Sequence, residues 1–267
     1  SSTSEKTRAL PDIARDSTAQ TAAILDRVGM SGIETVLRRR NADGELLLVP
    51  ARADAFVNLD DPEARGIHMS RLYLDLQSHL EENEFTFALL QKVLESFTRS
   101  HSSLSTHSYL RLSYDILRKR DALLSDNTGW RHYPVSLEAS WNGKRTDLKI
   151  SFRITYSSAC PCSAALSRQT LKERFEEDFS DHQSISLSHV ANWLQTREAT
   201  SAVPHSQRSH ADITVVAEKA DERLLEDLID QVEETLGIAV QAAVKREDEQ
   251  EFAALNGANL MFCEDAA

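Results

Sequence analysis

The sequence has no apolar run near the ~18 residues a membrane-spanning helix needs, and Ser1 to Ala9 is polar, without the apolar stretch of an export signal. A soluble protein is expected. Cysteine is scarce: three in 267 residues cannot build a disulfide framework, and Cys160 and Cys162 stand either side of one proline, a spacing that would strain a bridge. Free thiols without an export signal predict the reducing cytoplasm. The eight glycines form no phosphate loop of the Walker or dinucleotide type, and no serine sits in a nucleophile elbow, which excludes the usual ATPases, kinases and nicotinamide enzymes. Positive charge is also short, with 30 Lys and Arg against 42 Asp and Glu and a net charge of −12. A nucleic-acid binder draws its affinity from a dense basic surface that releases counterions, so that class is disfavoured. A small polyanion needs only a local basic pocket and stays open.

What is present is an ordinary globular composition, 41% hydrophobic and 27% charged, which rules out a disordered or fibrous chain. At roughly 150 residues per domain the length suits one large domain or two modest ones. Residues 1–20 are rich in Ser, Thr and charge and read as a tail. Ile24 to Arg40 and the apolar run from Leu46, joined by Asn41-Ala42-Asp43-Gly44, predict a hairpin. Between Ser70 and Ser100, Leu72, Leu76 and Leu80, then Phe87, Leu90, Val93, Leu94 and Phe97, recur at helical spacing with a break near Glu81 to Glu84, which predicts two helices.

Ser105 to Leu117 and His132 to Trp141 read as strands. Asn142-Gly143 followed by the alternating Leu148, Ile150, Phe152, Ile154 and Tyr156 predicts a second hairpin. A helix is expected from Ser163 to Phe179, then a polar stretch to Val203, a strand over Ala211 to Ala217, a helix over Asp221 to Leu236 and a last helix near Asp248 to Leu255. The repeated order of hairpin and helices predicts an α+β protein of two similar halves, residues 21–130 and 131–267, rather than one alternating parallel sheet.

Four places could carry chemistry. In Ser158-Ala159-Cys160-Pro161-Cys162-Ser163, Ser163 is a plausible N-cap, and a thiolate beside a helix N-terminus is stabilised, so one sulfur could bind a metal and the other act as acid, base or nucleophile. The alternative is two cysteines packed as small hydrophobes. In His205-Ser206-Gln207-Arg208-Ser209-His210, read as a loop before a strand, two imidazoles flank an arginine and could supply a metal ligand, a proton carrier and a phosphate contact. A carboxylate from Lys245 to Glu251 could complete a Cys/His/Glu set with a fourth position left for water, as in catalytic zinc-like sites; the alternative is a solvated helix face. Arg65, His68, Ser70 and Arg71, with the free N–H groups of a helix start, suit phosphate, although an N-cap Ser70 among surface charges would look the same. Arg118-Lys119-Arg120 is a weaker basic cluster.

Together the strings PEARGIHMSRLY, SACPCS, HSQRSHADI, AVKREDEQ and NLMFCED resemble the type IB GTP cyclohydrolases, a family of the tunnelling fold, from about Leu10 to Asp265. The chain is longer between Cys162 and His205 than the shortest members, an insertion around 166–203. The resemblance implies a tunnelling fold of two tandem modules, each an antiparallel sheet with helices packed on one face. It also implies metal-dependent hydrolysis of GTP at C8, release of formate and closure of 7,8-dihydroneopterin triphosphate, at the start of folate biosynthesis. By the same resemblance, Cys160, His205 and Glu249 match the metal ligands, with a divalent Zn, Mn or Fe ion. Cys162 matches a second catalytic cysteine, and Glu264 the carboxylate that accepts from guanine N1 and N2. His210 is expected to shuttle protons beside Cys160 and Cys162, Arg65, His68, Ser70, Arg71 and Arg208 to meet the triphosphate, and Cys263 to pack. Enzymes of this fold form rings with sites at subunit boundaries, which implies a homo-oligomer, a tetramer of two-module subunits. A tunnelling-fold nitrile reductase and a non-catalytic metal protein are the alternatives.

Overall fold

The computed structural model of the chain describes residues 25–64, 66–101, 103–121, 126–159, 161–197, 199, 206–217 and 223–237. Among them are six strands and five helices: β1 (Leu25–Arg40), β2 (Leu46–Leu59), α1 (Met69–Glu82), α2 (Phe87–Ser100), β3 (Ser108–Asp121), β4 (Thr128–Trp141), β5 (Thr146–Ala159), α3 (Pro161–Asp178), α4 (Leu187–Leu194), β6 (Ser206–Ala217) and α5 (Leu224–Leu236). The sheet order is β1-β2-β3-β4-β5-β6, with β1–β2, β2–β3 and β4–β5 antiparallel. The α+β class is the one expected. Two compact units can be distinguished, the first holding the described residues of Ser1–Ile116, His132–Arg153 and Asp212–Ile229, the second those of Leu117–Arg131, Ile154–Ala211 and Asp230–Ala267.

Both expected hairpins form at their turn residues. Asn41 Oδ1 accepts from the Glu45 N–H at 2.8 Å and Gly44 takes φ +85°, while Asn142 Oδ1 accepts from the N–H groups of Lys144 and Arg145 and Gly143 takes φ +89°. Side-chain acceptance by Asn and the left-handed conformation open to Gly close these turns cheaply. In the first unit the middle of β2 and the first part of β3 alternate. Ala51, Ala53, Ala55 and Val57, and Leu110, Leu112, Tyr114 and Ile116, are buried, as are Leu72, Leu76 and Leu80 of α1 and Leu89, Leu90, Val93, Leu94 and Phe97 of α2. The α2 residues alone remove enough apolar surface for on the order of 10 kcal/mol of gross stabilisation. Thr86 Oγ1 caps α2 by accepting from the Leu89 N–H at 3.1 Å.

Four expectations are corrected. Helix α1 begins at Met69 with His68 at its N-cap, so Ser70 is inside the helix and does not cap it. The His68 N–H is taken instead by Nε2 of the buried His101 at 3.2 Å. Helix α3 begins at Pro161, where a missing N–H costs nothing, which puts Cys162 and Ser163 inside its first turn and removes the N-cap role of Ser163. The stretch read as polar to Val203 contains α4, capped by Ser186 Oγ and held against α3 by Phe175, Phe179 and Trp193, whose rings meet at 4.8 to 5.7 Å. Strand β6 starts at Ser206, so Arg208 and His210 are strand residues, exposed at alternate positions with Asp212 and Thr214. At the start of the strand the intervening Gln207 and Ser209 are polar as well, so the apolar alternation that sequence reading looks for is missing there. The tail and the expected helix near Asp248 to Leu255 lie outside the described residues.

Candidate active site

The alternation of β5 delivers its chain to Ala159, and the helical turn of α3 starts two residues later at Pro161. Cys162 is thereby set at the N-terminal turn of an 18-residue helix, where partial positive charge accumulates. Cys160, His205, Glu249, Glu264 and Arg65 lie outside the described residues. Among the described residues no group of three His, Cys, Asp or Glu is placed to hold a metal ion.

In the second unit His210 is exposed on β6, and its Nδ1 lies 2.9 Å from Thr155 Oγ1 on β5. The main-chain carbonyl of Thr155 accepts from Arg131 Nη2 at 2.6 Å. Arg131 Nη1 in turn meets Glu233 of α5 at 3.1 Å, with both side chains largely buried, and Arg120 Nη2 meets the other oxygen of Glu233 at 2.7 Å. Arg118 and Arg120 both reach Asp230, one turn earlier on α5, at 2.9 and 3.1 Å. The basic cluster Arg118-Lys119-Arg120 is thus committed to the carboxylates of α5, apart from Lys119, which lies over the Trp130 ring at 5.3 Å.

In the first unit His68 is half-buried against His101, with ring centroids 6.1 Å apart. His101 Nδ1 lies 2.9 Å from the Phe97 carbonyl, and the Nδ1–H tautomer satisfies that contact while leaving Nε2 to accept from the His68 N–H. Arg71 is exposed and reaches the Ser100 carbonyl at 3.4 Å. The structure therefore brings His68, Ser70 and Arg71 together at the start of α1, and Arg208 and His210 together on β6. Sequence reading missed His101, Thr155, Arg131 and Glu233. Thr155 alone carried a signal, as the polar residue after buried Ile154 in an alternating strand.

A cavity of about 580 Å³ in the first unit is lined by Arg27, Asp54, Tyr109, Arg111, Glu138 and Lys149 among others. None of the site residues expected from sequence lines it. Lys149 holds Glu138 at 2.5 Å, and that hydrogen bond keeps the carboxyl below its ordinary pKa; the Arg27 guanidinium lies 4.2 Å from the Tyr109 ring centroid.

Against known proteins, the family described as GCHY-1, type I GTP cyclohydrolase folE2, matches residues 10–267. The chain belongs to this family. The GTP cyclohydrolase FolE2 of Hydrogenovibrio crunogenus is 43% identical over 258 residues, 97% of this chain and 82% of that protein. The one from Bdellovibrio bacteriovorus is 45% identical over 260 residues, 97% of this chain and 84% of that protein. Among solved structures, a uricase from Arthrobacter globiformis covers 76% of this chain and 97% of its own at a TM-score of 0.40 and 10% identity, a likeness too distant to carry an argument. Membership in the GTP cyclohydrolase family displaces the nitrile reductase alternative.

Proposed function

We propose that the GTP cyclohydrolase activity of this family, conversion of GTP to 7,8-dihydroneopterin triphosphate and formate, is carried in this chain by a metal-dependent site built where β5 runs into α3 and where β6 begins. Cys160, His205 and Glu249 are the residues that would hold the ion. Thiolate, imidazole and carboxylate together suit Zn²⁺, with Mn²⁺ or Fe²⁺ as substitutes, and three protein ligands leave one position open. When bound, the ion supplies the Lewis acidity that makes water a competent nucleophile near neutral pH.

One observation supports the ligand set. Ser151 meets Thr214, Arg153 meets Asp212 and Thr155 meets His210, so each step of two residues up β5 is matched by a step of two down β6. Position 160 follows β5 directly and position 205 precedes β6 directly, so the proposed thiolate and imidazole ligands flank the adjoining ends of these two strands.

The remaining roles are carried by this chain's own groups. Cys162, at the N-terminal turn of α3, and His210 exchange protons with the purine nitrogens and the departing formyl group. Glu264 accepts hydrogen bonds from guanine N1 and N2. Arg65, His68, Ser70, Arg71 and Arg208 neutralise the triphosphate, which an acidic chain must meet with local cations. Leu48, Leu74, Leu166, Leu187 and Val216 are exposed in the single chain, apolar surface that a cytoplasmic homo-oligomer, read here as a tetramer with sites at subunit boundaries, would cover. The test is Cys160→Ala. Elemental analysis should show loss of the metal, and incubation with GTP should give neither pterin fluorescence nor formate; retained metal and turnover would sink the ligand set.

A further inference from the structure

We propose that Thr155 is a positioning residue for His210, and that Arg131 and Glu233 hold it in place. The inference rests on the reading that His210 exchanges protons during the reaction. His210 is exposed on β6 and Thr155 lies on the neighbouring strand, 55 residues away in sequence, with its hydroxyl 2.9 Å from His210 Nδ1. An exposed imidazole without such a contact turns freely about χ1 and χ2 and divides between two tautomers. The hydroxyl occupies Nδ1, so proton exchange with a substrate falls to Nε2.

A hydroxyl is also the partner that proton transfer calls for. It accepts from Nδ1–H of the neutral ring whose Nε2 is bare and still accepts from Nδ1–H once Nε2 has taken a proton, so one contact serves the imidazole before and after the transfer. A carboxylate at that place would favour the charged form alone. Thr155 is itself fixed from the main chain. The register of β4 with β5 runs from Trp141↔Thr146 to Val135↔Phe152; three residues further on, the Thr155 carbonyl accepts from Arg131 Nη2 at 2.6 Å. Arg131 is only 9% exposed and is held by Glu233 at 3.1 Å, and Glu233 is also gripped by Arg120 at 2.7 Å. A shielded guanidinium clamped by a carboxylate fixes a carbonyl far better than solvent would. The position of the imidazole is thus set through strand β5 by helix α5.

The experiment uses the full-length metal-loaded enzyme with Thr155→Val, which keeps the β-branched shape and removes the hydroxyl, Thr155→Ser, which restores it, and His210→Ala. Steady-state kinetics with GTP is paired with ¹⁵N NMR of the histidine rings, the His210 signals being those absent from His210→Ala. In Thr155→Val, kcat is expected to fall about tenfold with KM within a factor of two, the scale of one hydrogen bond to a working group. The His210 nitrogen shifts should move toward a mixture of tautomers, and Thr155→Ser should return both readings to those of the starting enzyme. In the double variant with His210→Ala, Thr155→Val should add nothing further. Unchanged His210 nitrogen shifts in Thr155→Val, or failure of Thr155→Ser to rescue, would overturn the proposal. An undiminished kcat in His210→Ala would instead overturn the proton-transfer reading, while the nitrogen shifts would still decide whether Thr155 orients the ring. If Thr155→Val does not fold, Thr155→Ala carries the same readings.

Discussion

Replacing Arg39 by methionine is expected to destabilise the first unit by about 3 kcal/mol. Arg39 on β1 and Glu226 in the first turn of α5 meet at 2.5 Å, with side chains only 12% and 13% exposed, beside the buried Tyr114. At an effective dielectric of about 20, opposite charges some 4 Å apart gain about 4 kcal/mol, and desolvation consumes part of it. Methionine keeps most of the aliphatic volume, so the loss measures the charge left without its guanidinium rather than a cavity. Spread over a chain of this size, a 3 kcal/mol loss lowers Tm by about 6 to 12 °C. The assay is urea and thermal denaturation at neutral pH of Arg39→Met, Glu226→Leu and the double variant. The double variant should recover at least half of the loss, because removing both charges leaves none buried without its partner. A single-variant cost under about 1 kcal/mol, or a double variant no more stable than Arg39→Met, would refute the reasoning.

Two further outcomes follow from the same unit. A Cβ on Gly29 of β1 would lie 1.9 Å from the Ala55 carbonyl oxygen and 2.8 Å from Phe56 Cα, all backbone of β2, so Gly29→Ala must part the two strands and should cost about 2 kcal/mol or more in thermal denaturation; a change within ~0.5 kcal/mol would contradict this. Burial pushes the Tyr114 hydroxyl up to about 12. The unfolded chain loses this proton near pH 10 and the folded chain only near 12, so this group's contribution to stability is constant below pH 10 and falls between 10 and 12 by about 3 kcal/mol. Urea denaturation across that window should show the slope, and Tyr114→Phe should flatten it.

The elements legible in the sequence were those with a local cause. The turn at Asn41 to Gly44 needs Asn and Gly at those places, and the β5 alternation from Leu148 to Ile154 needs only neighbours two apart. The leucines of α1 and α2 declare a buried face at helical spacing. The elements missed or misplaced had no local cause strong enough to read. Helix α4 has only eight residues and is held by aromatic rings 14 to 18 residues away, on α3 and just past its end, and β6 begins among charged residues whose partners lie on β5.

The site divided in the same way. Residue type and spacing were enough to single out Cys162, His68, Arg71, Arg208 and His210 as chemically interesting, because thiols at a helix start and imidazoles beside arginines are informative wherever they fall. The folded chain alone decided which groups the described ones meet. Arg118 and Arg120, which look free in the sequence, are taken by Asp230 and Glu233 more than a hundred residues later. His210 acquires Thr155 as a partner only because strand register sets 155 beside 210. Composition, periodicity and turn chemistry act over a few residues, so the sequence by itself determined the secondary elements that have a local cause and the inventory of reactive groups. Pairing of side chains across strands and between strand and helix depends on register and packing, so only the tertiary structure decided which of the described groups are committed to holding the fold.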